Sequence, residues 1–511
     1  MRWVAAIVCV ALFALITVLG FMAARWRRGD LDLLHEWGLG GRRFGTFIAW
    51  FLIGGDLYTA YTFIAIPALI YGAGAIGFFA IPYTILVYPI LYVVFPRLWA
   101  VCNRHGYVTA ADFVRGRFGN GWLALAIAVT GIIATMPYIA LQLVGIQVVI
   151  GALGIGGHGL LHDLPLIIAF VILAAFTYTS GLRAPAMIAV VKDVLIYIAV
   201  IAAVIVVPIE LGGYSRIFTA VPAAKLILAA PKGPTLGGYS AYATLALGSA
   251  LALFLYPHST TGILSAQDES VIRRNAAMLP AYSVLLGLIA LLGFMAIAAG
   301  LAKNPEFADG FKQYGPSFAV PALFLATFPG WFTGIAFAAI AIGALVPAAI
   351  MSIATANLFT RNIYREFIKR DCTDGEETAM AKLVSLIVKI GALFFVIFLP
   401  LTYAVQLQLL GGIWIIQTLP AVMIALYTRF LNGWALLIGW LCGIVSGTWM
   451  VATLHFKGSI FGIHLFGTAI PGYAALWSLV INILVSFVLS GILNAVVSDQ
   501  HKDRTAAEDC A

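Results

Sequence analysis

Long apolar runs alternate with short polar breaks along the whole chain. A run of about 20 residues is what an α-helix needs to cross the ~30 Å hydrocarbon core of a bilayer. Thirteen such spans are predicted, near 3–24, 45–71, 77–96, 122–151, 164–180, 186–207, 240–265, 276–301, 331–357, 383–404, 408–427, 433–454 and 471–497. Backbone in lipid must satisfy its own polar groups, so each run is predicted to be helical. The expectation is an all-α polytopic membrane protein, with one transmembrane domain over 1–498 and a cytoplasmic tail over 499–511. The run from Trp3 to Ala24 exceeds a signal peptide's apolar region and is followed by Arg25, Arg27 and Arg28, so it reads as a retained span.

Composition agrees with that pattern. The 511 residues are 62% hydrophobic and 10% charged, and mean hydropathy is +1.02, whereas an ordinary soluble domain is roughly 25% charged. The net charge of +8 is spread over short loops without interleaved aromatics, which argues against nucleic acid. It acts instead as a topology signal. With the N-terminus outside, Arg2, Arg216, Lys225, Lys232, Lys303, Lys312 and Lys457 fall outside and the other 22 of the 29 Lys and Arg fall inside. The positive-inside rule therefore predicts an outer N-terminus and a cytoplasmic C-terminus. Cys9, Cys102, Cys372, Cys442 and Cys510 form no C-x-x-C pair, so neither disulfides nor structural zinc is expected. His158 and His162 have helical metal-ligand spacing, but the glycines around them predict a loop.

Two spans carry interruptions. The second, WFLIGGDLYTAYTFIAIPALIY, places Gly54, Gly55 and Asp56 near the bilayer midplane. A carboxylate there costs about 2.5–3.5 kcal/mol on insertion scales, and each glycine weakens a helix by roughly 1 kcal/mol relative to alanine. A helix broken at that point offers free carbonyls to a cation and free amides to an anion. Tyr58, Thr59, Tyr61 and Thr62 add hydroxyls just beyond it. The bland alternative is a close Gly-mediated helix contact with Asp56 satisfied by a neighbour. The seventh span, LFLYPHSTTGILSA, is interrupted by Pro257 and carries Tyr256, His258, Ser259, Thr260 and Thr261. It is either a second functional break or an ordinary proline kink with a satisfied histidine.

The breaks lie five spans apart. Spans 2–6 (about 45–207) and 7–11 (about 240–427) would then form two inverted repeats, with one extra span before them and two after. Thr135, Tyr138 and Gln142 in the fourth span, and Trp414 and Gln417 in the eleventh, either line a cavity or bond neighbouring helices. The stretch 361–382 is expected to be a solvated connector.

FLIGGDLYTAY, YTSGLRAPAMIAVVKD, LYPHSTTG and ATANLFTRNIY together resemble the sodium:solute symporter family over nearly the whole chain. EWGLGGRRFGTFIAWFLIGGDLYTAYTFIAIPALIY resembles its bacterial monocarboxylate permease branch, whose members import acetate, pyruvate and lactate. The resemblance implies the amino acid–polyamine–cation carrier (LeuT-like) fold with a five-plus-five core. It also places the family's helix-one acid on Asp56, the carbonyls that meet sodium on Gly54 and Leu57, and substrate-facing positions near Thr59, Tyr138 and Gln417. One departure stands out: where sodium-binding relatives supply hydroxyls, this chain has Val346 and Pro347. Ser352, Asp56 or water would have to substitute, and a proton carried by Asp56 is the preferred coupling.

The expected activity is secondary active symport of a short monocarboxylate, driven by protons or sodium, in an inner (plasma) membrane. The expected substrate-binding residues are Tyr58, Thr59, Tyr61, Tyr138, Gln142, Tyr256, His258, Trp414 and Gln417, with Gly54, Asp56, Leu57 and Ser352 for the coupling ion. No cofactor, no metal apart from a coupling sodium, no nucleic acid and no obligatory protein partner are expected. Rival readings are a symporter for an amino acid, urea or a sugar, a membrane sensor, which would need an output module, and an enzyme, which would need a catalytic cluster.

Overall fold

The computed structural model describes residues 2–26, 29–155, 160–398, 404–496 and 503–505. His158 and the side chain of His162 lie outside the described residues. The architecture is helical. Its main helices, in chain order, are α1 (Trp3–Met22), α2 (Leu34–Leu39), α3 (Thr46–Gly55), α4 (Ile66–Ala73), α5 (Ala80–His105), α6 (Gly121–Ala152), α7 (Leu160–Ser180), α8 (Arg183–Glu210) and α9 (Gly237–Leu253). They continue as α10 (Pro257–Leu264), α11 (Glu269–Met278), α12 (Pro280–Ala298), α13 (Gly330–Phe359), α14 (Asp374–Phe398), α15 (Ala404–Ile415), α16 (Gly433–Thr453) and α17 (Ala474–Val496).

Among the described residues, nine helical runs are each long and apolar enough to cross a membrane. The pair α9 and α10, bent by 50° at a short break, would make a tenth. One run, Tyr61–His105, has 45 residues, about 68 Å of helix at 1.5 Å per residue, more than twice the hydrocarbon thickness. Gly74 divides it: its φ is +78°, and a Cβ there would meet the Lys225 backbone. The remaining predicted spans are helical as well, α3 being short and the apolar part of α7 (Leu164–Ser180) just missing the length, while α14 carries Lys382 and Lys389 within its apolar part.

Helix α13 is the central element. Within its most apolar stretch 94% of residues are buried, against 22% for α17, which therefore lies at the periphery with one face open. Around it pack α1, α6, α8 and α14. Small residues permit the close approaches: Gly334 of α13 sits against Ala5 and Val8 of α1. Between α16 and α17 the chain forms an antiparallel hairpin, β1 (Ile460–Leu465) and β2 (Thr468–Tyr473), with Ile460 opposite Tyr473.

A buried ionic knot fixes the start of the domain. Glu36 of α2 accepts from Arg183 at the head of α8 and, at 2.5 Å, from Arg43. The amide of Leu182 donates to the Trp37 carbonyl at 2.9 Å, a fit that Gly181 allows with φ +56°. The loop entering α3 is thus anchored to the α7–α8 turn.

Candidate functional site

Helix α3 ends where Gly54 and Gly55 meet Asp56, and regular winding resumes only with a π-helical turn over Tyr61–Ala65. The Gly54 carbonyl accepts from the amides of Leu57 (2.9 Å) and Tyr58 (3.3 Å), so the chain itself uses it. The amides beyond the break are also occupied. Thr62 Oγ1 accepts from the amide of Thr59, Gln142 Oε1 from that of Ala60, and Thr59 Oγ1 from that of Tyr61, each at 3.0 Å. A substrate anion at these amides, as the sequence suggests, would have to displace Gln142 or a threonine.

Between α9 and α10 the second break leaves the Phe254 carbonyl outside regular helix, where Thr260 Oγ1 donates to it at 2.9 Å. Pro257 then starts α10 at a position where its missing N–H is harmless. Across the two breaks Ser259 donates to Asp56 Oδ2 at 2.6 Å, and His258 Nε2 lies 3.5 Å from Asp56 Oδ1. The rings of His258, Tyr138 and Tyr256 form a cluster with centroids 5.2–5.4 Å apart. The Tyr256 hydroxyl donates to the Gln408 carbonyl. Asp56 Oδ1, both imidazole nitrogens of His258 and the Tyr61 hydroxyl are buried and have no hydrogen-bond partner among the described residues. Leaving such groups unmatched costs about 1–3 kcal/mol each, so they are poised for a small polar guest.

Several expected residues point elsewhere. Gln417 bonds Ser478 and Asn482 of α17, and Trp414 donates to Thr448 of α16. Ser352 donates to the Ala349 carbonyl and accepts at 3.2 Å from Ser385 of α14, which itself accepts from Lys389. Tyr58 sends its hydroxyl to the Tyr282 carbonyl at 2.7 Å.

The sequence reading missed Lys192. Counted there as a topology charge, it is wholly buried on α8, and so nearly is Lys389 on α14. Lys192 Nζ donates to the carbonyls of Gly55 at 2.5 Å and Tyr58 at 3.0 Å. Asp193 Oδ1 lies 3.0 Å from the same nitrogen, an ion pair without hydrogen-bond alignment, while Asp193 Oδ2 accepts from Tyr282 at 2.6 Å. A charged pair inside the apolar run 183–210 was the available signal. At the first break the Gly54 carbonyl is used within its own turn and Lys192 holds the Gly55 and Tyr58 carbonyls, so a sodium ion there would compete with an ammonium already in place.

The comparisons with known proteins bear on the family and the fold. The model of the sodium:solute symporter family matches residues 37–443. A monocarboxylate transport permease protein of Rhizobium johnstonii is 53% identical over 487 residues, 94% of this chain and 96% of the relative. An uncharacterized symporter of Bacillus subtilis, YodF, is 34% identical over 93% of this chain and 90% of its own length. Among solved structures, the substrate-bound outward-open state of a Na+-coupled sialic acid symporter superposes with a TM-score of 0.76 at 14% identity, covering 96% of this chain and 98% of that one. A nucleobase-cation-symport-1 family transporter, in a closed conformation with bromovinylhydantoin bound, gives 0.54 at 12% identity, over 95% of this chain and 100% of that one. The chain is an integral membrane protein whose relatives are symporters, and it belongs to the sodium:solute symporter family.

Proposed function

We propose that this protein is a secondary active symporter that imports short monocarboxylates of the lactate, pyruvate and acetate type, driven by a proton or sodium gradient. The observation that carries the reading is the group of three buried, unmatched polar atoms on Asp56 and His258 where the two helix breaks meet. The name of the 53% identical relative supports the substrate class. A carboxylate placed beside ionised Asp56 would meet about 4 kcal/mol of repulsion at 4 Å and an effective dielectric of 20. Holding both therefore needs a proton on one of the two carboxyls or on His258, whose Nε2 lies 3.5 Å from Asp56 Oδ1.

In this reading thirteen spans form a five-plus-five inverted-repeat core over 45–207 and 240–427, within a single domain to residue 498. The N-terminus faces outward, the C-terminal tail is cytoplasmic, and the membrane is the inner one. Tyr138, Tyr256 and His258 enclose the solute. Tyr58, Thr59, Tyr61 and Gln142 shape the backbone beside it, and Asp56 links solute and coupling ion. Gln417 and Trp414 act through the contact with the last two helices, and Ser352 belongs to a separate polar cluster. No catalytic step is involved, and no cofactor or obligatory protein partner is required.

The test is uptake of labelled lactate, pyruvate and acetate by vesicles containing the purified protein, under imposed proton or sodium gradients. Accumulation above that of protein-free vesicles is expected for at least one acid. No accumulation of any acid, with an amino acid, urea or a sugar concentrated instead, would transfer the assignment to that solute.

A further inference from the structure

We infer that Lys192 is the coupling cation of this transporter: its ammonium sits on the carbonyls of the first helix break, and uptake runs on protons loaded onto and released from it. This rests on the symporter reading above and deepens it. A broken helix in a membrane exposes carbonyls that need a positive charge. Here the Gly55 and Tyr58 carbonyls, three residues apart across the break, both receive Lys192 Nζ, at 2.5 and 3.0 Å. The donor lies 134 residues further along the chain, on a different helix. The protein therefore carries its own cation where an inorganic one would otherwise sit.

A buried lysine on two carbonyls is also what a permanent staple would look like, so the surroundings decide. Asp193 on the same helix is 3.0 Å away and is held by Tyr282 of α12. Tyr58 lies in the break, and Tyr197 is near both tyrosines, with ring centroids 6.3 and 6.1 Å away. Asp56 follows Gly55 directly in the chain, one residue from a carbonyl that Lys192 holds. The other helices packed against α8 bring little else: α3 and α13 contain no ionisable side chain, α1 only Cys9, and α7 only Tyr178 among its described side chains. One ammonium thus faces the break carbonyls and one firmly held carboxylate. The remaining carboxylate, Asp56, is the group that contacts Ser259 and His258 in the solute pocket.

Lysine, unlike arginine, can release its proton. On release an Nζ–H bond breaks, the electron pair stays on nitrogen, and the proton passes to water. The neutral amine no longer offsets Asp193 or grips the two carbonyls as an ion, which frees the break to move. Reloading reverses each change. One proton and one carboxylate anion entering per turnover carry no net charge.

The experiment uses the purified full chain in vesicles. For wild type, a pH gradient of one unit, alkaline inside, is expected to drive up to about tenfold lactate accumulation, the limit for one proton per solute. Neither a sodium gradient nor an imposed membrane potential should add to it. Lys192→Met is expected to lose at least tenfold in pH-driven accumulation while solute exchange by counterflow falls by a much smaller factor. Lys192→Arg, which keeps a fixed charge on the carbonyls, is expected to hold its Tm and lose accumulation in the same way. A mere staple would be rescued by arginine, so full accumulation by Lys192→Arg overturns the inference, as does sodium-driven accumulation by wild type. If wild type takes up none of the acids, the substrate reading falls and sodium binding still decides the cation. A Tm unchanged by 100-fold more sodium over choline supports Lys192, and a sodium-specific rise overturns it.

Discussion

Ser259 donates its hydroxyl to Asp56 at 2.6 Å, and that one bond joins two helix interruptions separated by 203 residues of chain. Neither break could form this polar cluster alone. The first contributes the carboxylate, the second the hydroxyl and the imidazole, and α6 contributes Tyr138 and the capping Gln142.

Ser259→Ala removes a hydrogen bond to a carboxylate, an interaction of about 1.5–3 kcal/mol when buried. The expected result is a rise in the half-saturating solute concentration of roughly tenfold or more, with the protein still inserted. Asp56→Asn is expected to insert normally and to lose concentrative uptake. Labelled-solute uptake with surface quantification checks both, and unchanged accumulation by Asp56→Asn would make the acid merely structural.

His258→Phe keeps the ring contacts with Tyr138 and Tyr256 and removes both nitrogens. Affinity for monocarboxylates is expected to fall at least tenfold. Affinity for an uncharged analogue, lactamide for example, should fall far less. Competition assays with the two ligands make the comparison.

Gly54 has no room for a side chain. A Cβ there would come within 2.5 Å of the Tyr282 ring, and that ring is held by Trp50, Tyr58 and Asp193. Overpacking of this kind costs about 1–3 kcal/mol. Gly54→Ala is expected to lower Tm and to cut uptake severely, whereas Gly121→Ala, which meets nothing within 4 Å, should change neither.

Arg183 and Glu36 form an ion pair whose side chains are 1% and 6% exposed. Breaking one partner of a buried pair leaves an uncompensated charge, at a cost of about 3–5 kcal/mol. Arg43 already contacts Glu36 and softens that loss, so Arg183→Met is expected toward the lower end. Thermal unfolding in detergent measures it, and adding Glu36→Gln should recover part of the deficit.

Asp268 caps α11 by accepting from the Val271 amide at 2.9 Å. The Ser270 hydroxyl, at 2.6 Å, and then that amide hold its carboxyl below the usual aspartate range. Its stabilising contribution is therefore complete above about pH 3.9, the unfolded value, and is lost as pH falls through the lower folded value. Asp268→Ala is expected to cost about 1 kcal/mol at neutral pH and progressively less in acid, as unfolding midpoints measured at several pH values will show.

Several residues of this cluster were legible in the sequence because their signals are local. GGD in an apolar run and YPH in another each announce a weak helix and a polar group in lipid. At Trp414, Gln417 and Ser352 the same kind of signal left two roles open, since a polar side chain inside a span serves a helix contact as well as a cavity, and all three bond neighbouring residues here. It misled at Lys192 and Lys389, which look like the ends of spans in a charge count and lie inside the bundle.

Sequence by itself determined the material of this protein. Apolar stretches of membrane length, breaks at Gly54–Asp56 and Pro257, and a family resemblance along most of the chain are properties of neighbouring residues, and hydropathy and backbone chemistry act at that range. Only the tertiary structure decided the pairings: Asp56 with Ser259, the Ala60 amide with Gln142, and Lys192 with the Gly55 and Tyr58 carbonyls. A hydrogen bond needs its partners within about 3 Å, and helix packing sets that distance between residues 82 to 203 positions apart.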